Sequence, residues 1–195
     1  MPPDLMTKLS TYRTLLGKWG KVINLVAPST LKDIQKRHFE DSLQLAAFIP
    51  RDTEILLDLG SGAGFPGLVL AMTLPLIQVH LVESDQRKCS FLATVSRETN
   101  TPAVIHNSRI EDIGSSIRPD VITARALADL KNLLRITEAF WSNQRTITLL
   151  FPKGAAWEQE VIHARKTYDF ELAVHKSTTD TAAKILALTD IKHRQ

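Results

Sequence analysis

The first fifty residues place apolar side chains at the spacing of amphipathic helices. A first stripe predicts a helix over residues 4–19, whose apolar face we expect to pack into a core. The residues of this face are Leu5, Leu9, Tyr12, Leu16 and Trp19. Ser29 is a candidate N-cap for a second helical region, which the apolar spacing extends from Thr30 to about Phe48. Pro50 ends the pattern and leads into a strand.

After Pro50, short apolar runs typical of strands alternate with helical stretches. Seven strands are predicted, at residues 55–59, 78–83, 103–106, 120–124, 146–151, 170–175 and 184–189. Helices are predicted between most of them, at 66–74, 85–99, 129–141 and 155–167. This alternation indicates an α/β fold with a mostly parallel, seven-stranded sheet covered on both faces. Only polar, turn-like residues separate the last two strands, so we expect these two to form an antiparallel hairpin at the sheet edge.

Composition and cysteine content narrow the class of protein. With 195 residues, 44% of them hydrophobic, the chain can bury one sizeable core. It contains no apolar run of about 18 residues, so we expect no membrane-spanning helix, and its N-terminus lacks the pattern of a signal peptide. The single cysteine, Cys89, cannot form an internal disulfide, which favours a reducing, cytoplasmic location. Cys89 lies on the core face of a predicted helix, where packing explains it better than nucleophilic chemistry.

Basic residues are concentrated at the start of the chain. The formal net charge is +3, but residues 1–39 alone carry +5 and the remaining residues carry −2. One interpretation is an ordinary solvated helix face. The other is a lobe that contacts phosphates and precedes the site described next.

The first predicted strand runs into a glycine-rich loop. Glycines follow at positions 60, 62, 64 and 67, and Asp58 lies two residues before the first of them. The segment 62–67 fits the G-x-G-x-x-G pattern of nicotinamide or flavin binding. Asp58 argues against a pyrophosphate, because a carboxylate at this strand end suits a cationic ligand or a hydrogen-bond donor. The spacing G-x-G-x-G also indicates a broad bend suited to an amino-acid-like group.

Acidic residues follow the next two predicted strands. Glu83 ends the second strand, 23 residues after Gly60, where an acid can accept both ribose hydroxyls of a nucleoside. Such an acid serves NAD and S-adenosylmethionine alike, and the alternative is a solvated strand end. Residues 107–112 follow the third strand at the edge where ligands lie, and an acid there can meet an adenine amino group. Alternatively, Glu111 and Asp112 simply begin a helix.

Further segments accompany the glycine loop along the chain. They are Trp19 with Asn24–Ala27, Arg37–Leu43, Arg109–Glu111, Ala124–Ala126 and Lys153–Gly154. With the loop, in which Phe65-Pro66-Gly67 is more specific than the glycines, they resemble the GidB/RsmG family over roughly residues 10–190. That family comprises bacterial small-subunit rRNA guanine-N7 methyltransferases. The chain departs from its pattern at Val26 and at Ala183-Lys184.

The resemblance implies a Rossmann-like class I methyltransferase fold and a specific reaction. Residues 1–50 would form a helical extension that packs on the core and faces RNA, and residues 51–195 the S-adenosylmethionine-dependent methyltransferase domain. The implied reaction transfers a methyl group from S-adenosylmethionine to N7 of a guanine in 16S rRNA. The implied partner is 16S rRNA or the small ribosomal subunit. We expect no metal, no membrane partner and a monomer.

Candidate site residues come from both lines of reasoning. The resemblance implies that the cofactor is lined by Gly60, Phe65, Ile110, Glu111 and Arg125. The pattern of glycines and strand-end acids adds four candidates to this cofactor site: Asp58, Gly62, Gly64 and Glu83. Arg125 is the candidate catalytic residue, because a cation at that strand end could hold the cofactor carboxylate or a phosphate of the target nucleotide. The alternative for Arg125 is a salt bridge to Asp58 or Glu111.

Four residues are predicted to contact RNA: Lys36, Arg37, His38 and Lys153. Arg and Lys would meet phosphates in a salt-dependent way. His38 could instead form a hydrogen bond between its helix and the core.

The implied chemistry suits a sparse site. Guanine N7 carries an in-plane lone pair and no proton, so its methylation needs no general base, and the rate can come from alignment. The chain also lacks the Asp/Asn-Pro-Pro-Tyr/Phe loop that grips an exocyclic amine. Three other functions remain open from sequence: a methyltransferase of a small molecule or protein, a nicotinamide oxidoreductase, and a non-catalytic RNA-binding or assembly factor.

Overall fold

The computed structural model describes residues 2–26, 33–114, 117–142 and 146–194, and within these ranges seven strands form one sheet. The sheet order is β3-β2-β1-β4-β5-β7-β6. The strands are β1 (Ile55–Leu59), β2 (Gln78–Glu83), β3 (Val104–Asn107), β4 (Val121–Ala124), β5 (Thr148–Lys153), β6 (Tyr168–Lys176) and β7 (Lys184–His193). Strands β1 to β5 pair in parallel, whereas β7 is antiparallel to both β5 and β6. The predicted mostly parallel sheet with a C-terminal hairpin is confirmed.

Helices cover the sheet. The first is α1 (Pro3–Trp19). Between α1 and β1 lies a continuous helical segment, here called α2, made of π-helical Gln35–Glu40, α-helical Asp41–Leu43 and 3-10 Gln44–Phe48. The others are α3 (Gly67–Thr73), α4 (Gln86–Glu98), α5 (Ile110–Ile113), α6 (Leu130–Ile136), α7 (Glu138–Trp141) and α8 (Trp157–Ala164).

Two helical predictions, the start of the second helical region and the helix over 129–141, have different outcomes. The predicted cap Ser29 and helix start Thr30 lie outside the described residues. The predicted helix 129–141 is two helices, α6 and α7, which meet at Thr137, whose hydroxyl donates to the Leu133 carbonyl at 2.8 Å.

Each face of the sheet has its own apolar core. Leu56 of β1 packs with α1 to α4 on one face, while its neighbour Leu57 packs with α6 to α8 on the other. Both leucines are fully buried, and burial of such a side chain stabilises a fold by roughly 1.5–3 kcal/mol. β1 is therefore a central strand covered on both faces, as its continuous apolar run predicts. Among the described residues, no helix is both long and apolar enough to cross a bilayer.

The register of the sheet brings three predicted site residues to one edge. Leu59 of β1 pairs with Val82 of β2 and with Ala124 of β4. Gly60, Glu83 and Arg125 each come one residue later, so they lie side by side at the carboxyl ends of adjacent strands. The strand order reverses at β1, and ligands of open α/β sheets bind at such a switch point.

Candidate functional site

The loop between β1 and α3 exposes backbone at the switch point. Gly64 has φ +91°, and a Cβ added there would lie 2.5 Å from the Tyr12 hydroxyl, so the loop is packed tightly on its inner side. Gly62 has φ +56°, but the nearest atom to an added Cβ is the Gly60 carbonyl oxygen at 3.8 Å. The outer side of the loop is thus open at Gly62, and its main chain can approach a ligand closely.

Asp58 supports the loop from below. It is fully buried, and its two carboxylate oxygens accept hydrogen bonds from the Thr123 hydroxyl at 2.7 Å and the Gly67 amide at 3.2 Å. Burial raises the pKa of Asp58 to about 6, while the bond from Thr123 partly offsets the shift. The carboxylate contacts the loop's own backbone in this structure. Direct contact between Asp58 and a cationic ligand stays a prediction.

Glu83 joins the end of β2 to the outer side of the loop. One carboxylate oxygen accepts from the Gly62 amide at 2.9 Å, and the other accepts from the Asp85 amide at 2.8 Å. Glu83 is 8% exposed, so it is not the solvated strand end of the alternative interpretation. The carboxylate is held beside the open glycine, which is the place the sequence predicts for an acid that binds ribose.

The turn after β3 closes the same edge. Asn107 donates through Nδ2 to the Glu83 carbonyl at 3.3 Å and the Ser84 carbonyl at 3.1 Å, and so ties the β3 end to the β2 end. Ile110 is half-buried and packs against the second core, whereas Glu111 is exposed. Contact of these two side chains with a cofactor stays a prediction.

Arg125 lies at the end of β4 and reaches α2. Its Nη1 donates to the Arg37 carbonyl at 3.0 Å and lies 3.5 Å from Asp41 Oδ2. The guanidinium carbon also lies 5.3 Å from the centre of the Phe65 ring, a cation–π distance. The salt bridge predicted as the alternative, to Asp58 or Glu111, is therefore wrong in its partner: the ion pair is with Asp41.

His38 is an interior partner of Arg125. Its ring stacks on Phe65 at 4.9 Å between centres, and its Nδ1 accepts from Arg125 Nη2 at 2.8 Å. Burial, together with the charges of Arg125 and Arg37, lowers the pKa of His38 to about 4, so the imidazole is neutral near pH 7. The alternative of a hydrogen bonder between helix and core is confirmed. With 8% exposure, His38 is not placed on an open RNA-facing surface.

A cleft of about 730 Å³ opens beside Arg125. It lies between α2, the ends of β4 and β5, and the turn of the β6–β7 hairpin. Lys36 and Arg37 are exposed where α2 lines it. Lys153 also lines the cleft, but it is 8% exposed and its Nζ lies 2.7 Å from both Glu160 Oε2 and the Ala128 carbonyl. That ion pair argues against the phosphate contact predicted for Lys153.

Sequence reasoning missed several supporting residues. Asp41 lies inside the Arg37–Leu43 segment but received no role, although an acid one turn from Arg37 was a signal. Thr123 pairs in register with Asp58, which only the order of the strands reveals. Tyr12 was predicted as core, and it is fully buried, but its hydroxyl also donates to the Ala63 carbonyl and its ring stacks on Phe65.

Known proteins share both the sequence and the architecture. The family model described as rRNA small subunit methyltransferase G matches residues 5–189. Two relatives named ribosomal RNA small subunit methyltransferase G are each 44% identical to the chain. The one from Rhodospirillum centenum aligns over 98% of this chain and 87% of the relative. The one from Paramagnetospirillum magneticum aligns over 96% and 90%, respectively.

Solved structures of methyltransferases share the fold. A SAM-dependent methyltransferase from Aquifex aeolicus matches with a TM-score of 0.60 and 14% identity, over 84% of this chain and 98% of that chain. An O-methyltransferase from Bacillus cereus in complex with SAH matches with a TM-score of 0.58 and 12% identity, over 97% and 92%. At these identities the likeness shows the fold alone. The family match spans nearly the whole chain, however, and confirms the resemblance found in the sequence: the chain belongs to the rRNA small subunit methyltransferase G family.

Proposed function

We propose that this protein transfers a methyl group from S-adenosylmethionine to N7 of a guanine in 16S rRNA of the small ribosomal subunit. The observation that carries the proposal is the juxtaposition at one sheet edge of two features. One is the open glycine loop with Glu83, and the other is the cleft beside Arg125. Membership of the rRNA small subunit methyltransferase G family supports the reaction class.

The residues around the loop fit a nucleoside cofactor. Gly62 leaves space where any other side chain would stand, and the Glu83 carboxylate lies beside it to accept ribose hydroxyls. The buried Ser108 hydroxyl, just after β3, has no hydrogen-bond partner among the described residues and offers a further polar group at this edge. When bound there, S-adenosylmethionine supplies an electrophilic methyl group on a positively charged sulfur. Asp58 and Tyr12 hold the loop in shape for it.

The cleft suits an acceptor that keeps no proton at the reacting atom. Guanine N7 offers a lone pair in the ring plane, so the chain must align the base and need not deprotonate it. His38 is poorly suited to act as a general base, because its pKa is lowered to about 4 and its Nδ1 already accepts a hydrogen bond from Arg125. Two carboxylates of the cleft, Asp41 and Glu160, are ion-paired with Arg125 and Lys153. Asp33 and Asp180 also line it and are the carboxylates that we propose to stabilise the cationic methylated ring.

The exposed cations of α2 are the candidate phosphate contacts. Lys36 and Arg37 stand at the cleft and would bind the RNA backbone in a salt-dependent way. We propose that residues 1–50 face the RNA and that residues 51–195 carry the cofactor. We also propose that the enzyme acts in the cytoplasm, where a substrate within the bacterial small subunit would lie, and that it acts as a monomer.

Methyl transfer by the purified protein tests the proposal. The protein is incubated with isotopically labelled S-adenosylmethionine and either small subunits or protein-free 16S rRNA from a strain that lacks the gene. Nuclease digestion and mass spectrometry then identify the labelled nucleoside. We expect labelled 7-methylguanosine from at least one substrate. Label in another nucleoside, or label in neither RNA while a small molecule or protein in cell extract is methylated, would contradict the proposal.

A further inference from the structure

We infer that Asp41 is a positioning residue for methyl transfer, because it fixes the Arg125 guanidinium at the switch point and links it to the turn of the β6–β7 hairpin. The inference rests on the proposed function, in which Arg125 lines the reacting site. It adds a residue to that site and makes the hairpin turn part of its support.

One oxygen of the Asp41 carboxylate faces Arg125. Oδ2 lies 3.5 Å from Arg125 Nη1, and both side chains are about one-fifth exposed. The guanidinium's hydrogen bonds to the Arg37 carbonyl and to His38 Nδ1 are bonds to neutral groups. A largely buried cation needs a compensating negative charge close by, and Asp41 supplies it directly.

The other oxygen is held by the hairpin turn. Asp41 Oδ1 accepts from the Thr179 hydroxyl at 2.7 Å and from Gln44 Nε2 at 2.9 Å. Gln44 in turn accepts, through Oε1, from the Thr178 amide at 2.8 Å. The carboxylate therefore cannot rotate freely, and its orientation is set by a turn that is far from Asp41 in the sequence.

The consequence for Arg125 is a fixed direction. The guanidinium is held by Asp41 and His38, and its central carbon lies over the ring of Phe65 in the glycine loop. Without the charge of Asp41, we expect the guanidinium to turn toward the open cleft and to leave the Phe65 ring. Displacement of a positioning group by about 1 Å can cost up to about a hundredfold in rate.

The substitution Asp41→Asn tests this role with little change in shape. The asparagine can still accept through Oδ1 from Thr179 and Gln44, but its Nδ2 would face the Arg125 cation with a partial positive charge. We expect the rate of methyl transfer to fall about tenfold or more at a temperature where both proteins are fully folded, as their thermal midpoints establish. The matched control is Glu40→Gln, since Glu40 is the exposed neighbouring carboxylate whose described side-chain contact is with Gln35. This control should leave the rate unchanged.

The decisive comparison combines Asp41→Asn with a substitution of Arg125 in the same protein. In an Arg125→Lys protein, measured under single-turnover conditions, Asp41→Asn should cost little further, because its effect acts through the guanidinium. Thr179→Val, a milder change at the other end of the same contact, should lower the rate by about twofold to threefold in the parent protein and not in the Arg125→Lys protein. An equal loss in both backgrounds would overturn the inference.

A spectroscopic measurement makes the test independent of turnover. The ¹⁵N–¹H resonance of Arg125 Nε can be assigned by its loss in Arg125→Lys. We expect Asp41→Asn to shift or broaden it and Glu40→Gln to leave it in place. An Arg125 resonance unchanged in Asp41→Asn would overturn the inference even if methyl transfer by this variant is slower. If the parent protein methylates no RNA at all, the proposed function fails, while this resonance still decides whether Asp41 positions Arg125.

Discussion

The buried carboxylate of Asp58 makes a quantitative prediction about stability and pH. The folded protein raises its pKa from 3.8 to about 6, chiefly through burial. A difference of about 2 pKa units corresponds to about 3 kcal/mol, since each unit is worth about 1.36 kcal/mol. Because the folded state binds the proton more tightly than the unfolded state, this contribution to stability is fully present below pH 3.8 and is lost as the pH rises through about 6.

Asp58→Asn removes the titration and keeps the contacts. The asparagine side chain can accept from the Gly67 amide through Oδ1 and donate through Nδ2 to the Thr123 hydroxyl oxygen. The difference in unfolding free energy, variant minus parent, should therefore rise with pH by up to about 3 kcal/mol between about pH 4 and pH 7. Groups common to both proteins cancel in this difference. The measurement is urea unfolding followed by circular dichroism at a series of pH values without cofactor.

A second carboxylate provides a control of opposite sign. Asp129 caps α6 by accepting from the Asn132 amide at 3.0 Å, and this bond lowers its pKa. The stability from Asp129 is thus present above its unfolded pKa and lost as the pH falls through the folded value. For Asp129→Asn the same difference should fall as the pH rises. A flat or falling difference for Asp58→Asn would refute the assignment of Asp58 as a buried, destabilised carboxylate.

Four further substitutions probe other parts of the structure. Gly64→Ala should destabilise the fold by about 1–3 kcal/mol in urea unfolding, because the left-handed backbone and a tyrosine hydroxyl 2.5 Å away leave no room for Cβ. It should also weaken the binding of S-adenosylhomocysteine, measured by calorimetry. Unchanged stability together with unchanged binding would contradict the tight packing of the loop. Gly17→Ala should stabilise the protein by about 0.5–1 kcal/mol, since an added Cβ on this helical position meets nothing; any loss of stability would be unexpected. Lys36→Ala should reduce the slope of log affinity for RNA against log salt concentration by about 1, with no loss of stability. Lys153→Ala should leave that slope unchanged, but it should destabilise the fold because Glu160 loses its cationic partner. Exchanged outcomes for the two lysines would place the RNA contact at Lys153 after all.

The sequence was sufficient to predict the sheet because its signals are local. Each central strand is a short apolar run that ends at glycine or a charged residue, as in 55–59 before Gly60. The hairpin followed from the polar residues between the last two runs. The split of 129–141 was not predicted, since a single threonine in a helical pattern gives no strong stop signal.

The site was predictable only in part, because its polar contacts join distant segments. The positions of Gly62 and Glu83 followed from strand ends in a parallel sheet. The partners of Arg125 did not: the Arg37 carbonyl lies 88 positions away in sequence, on a π-helical turn that no periodicity reveals. Burial of Lys153 was likewise invisible, because a lysine at a strand end looks the same whether it faces solvent or a carboxylate such as Glu160.

Methylation of guanine N7 in 16S rRNA, with Arg125 in the reacting site, is the function that we propose for this chain. The most direct measurement is quantitative mass spectrometry of 7-methylguanosine in 16S rRNA from a strain that lacks the gene, complemented with either the parent gene or Arg125→Ala. The modification should disappear in the deletion strain and return with the parent gene. It should stay absent or strongly reduced with Arg125→Ala, compared at equal amounts of folded protein because the substitution leaves Asp41 without its cation. Full 7-methylguanosine in the deletion strain, or full restoration by Arg125→Ala, would contradict the proposed function.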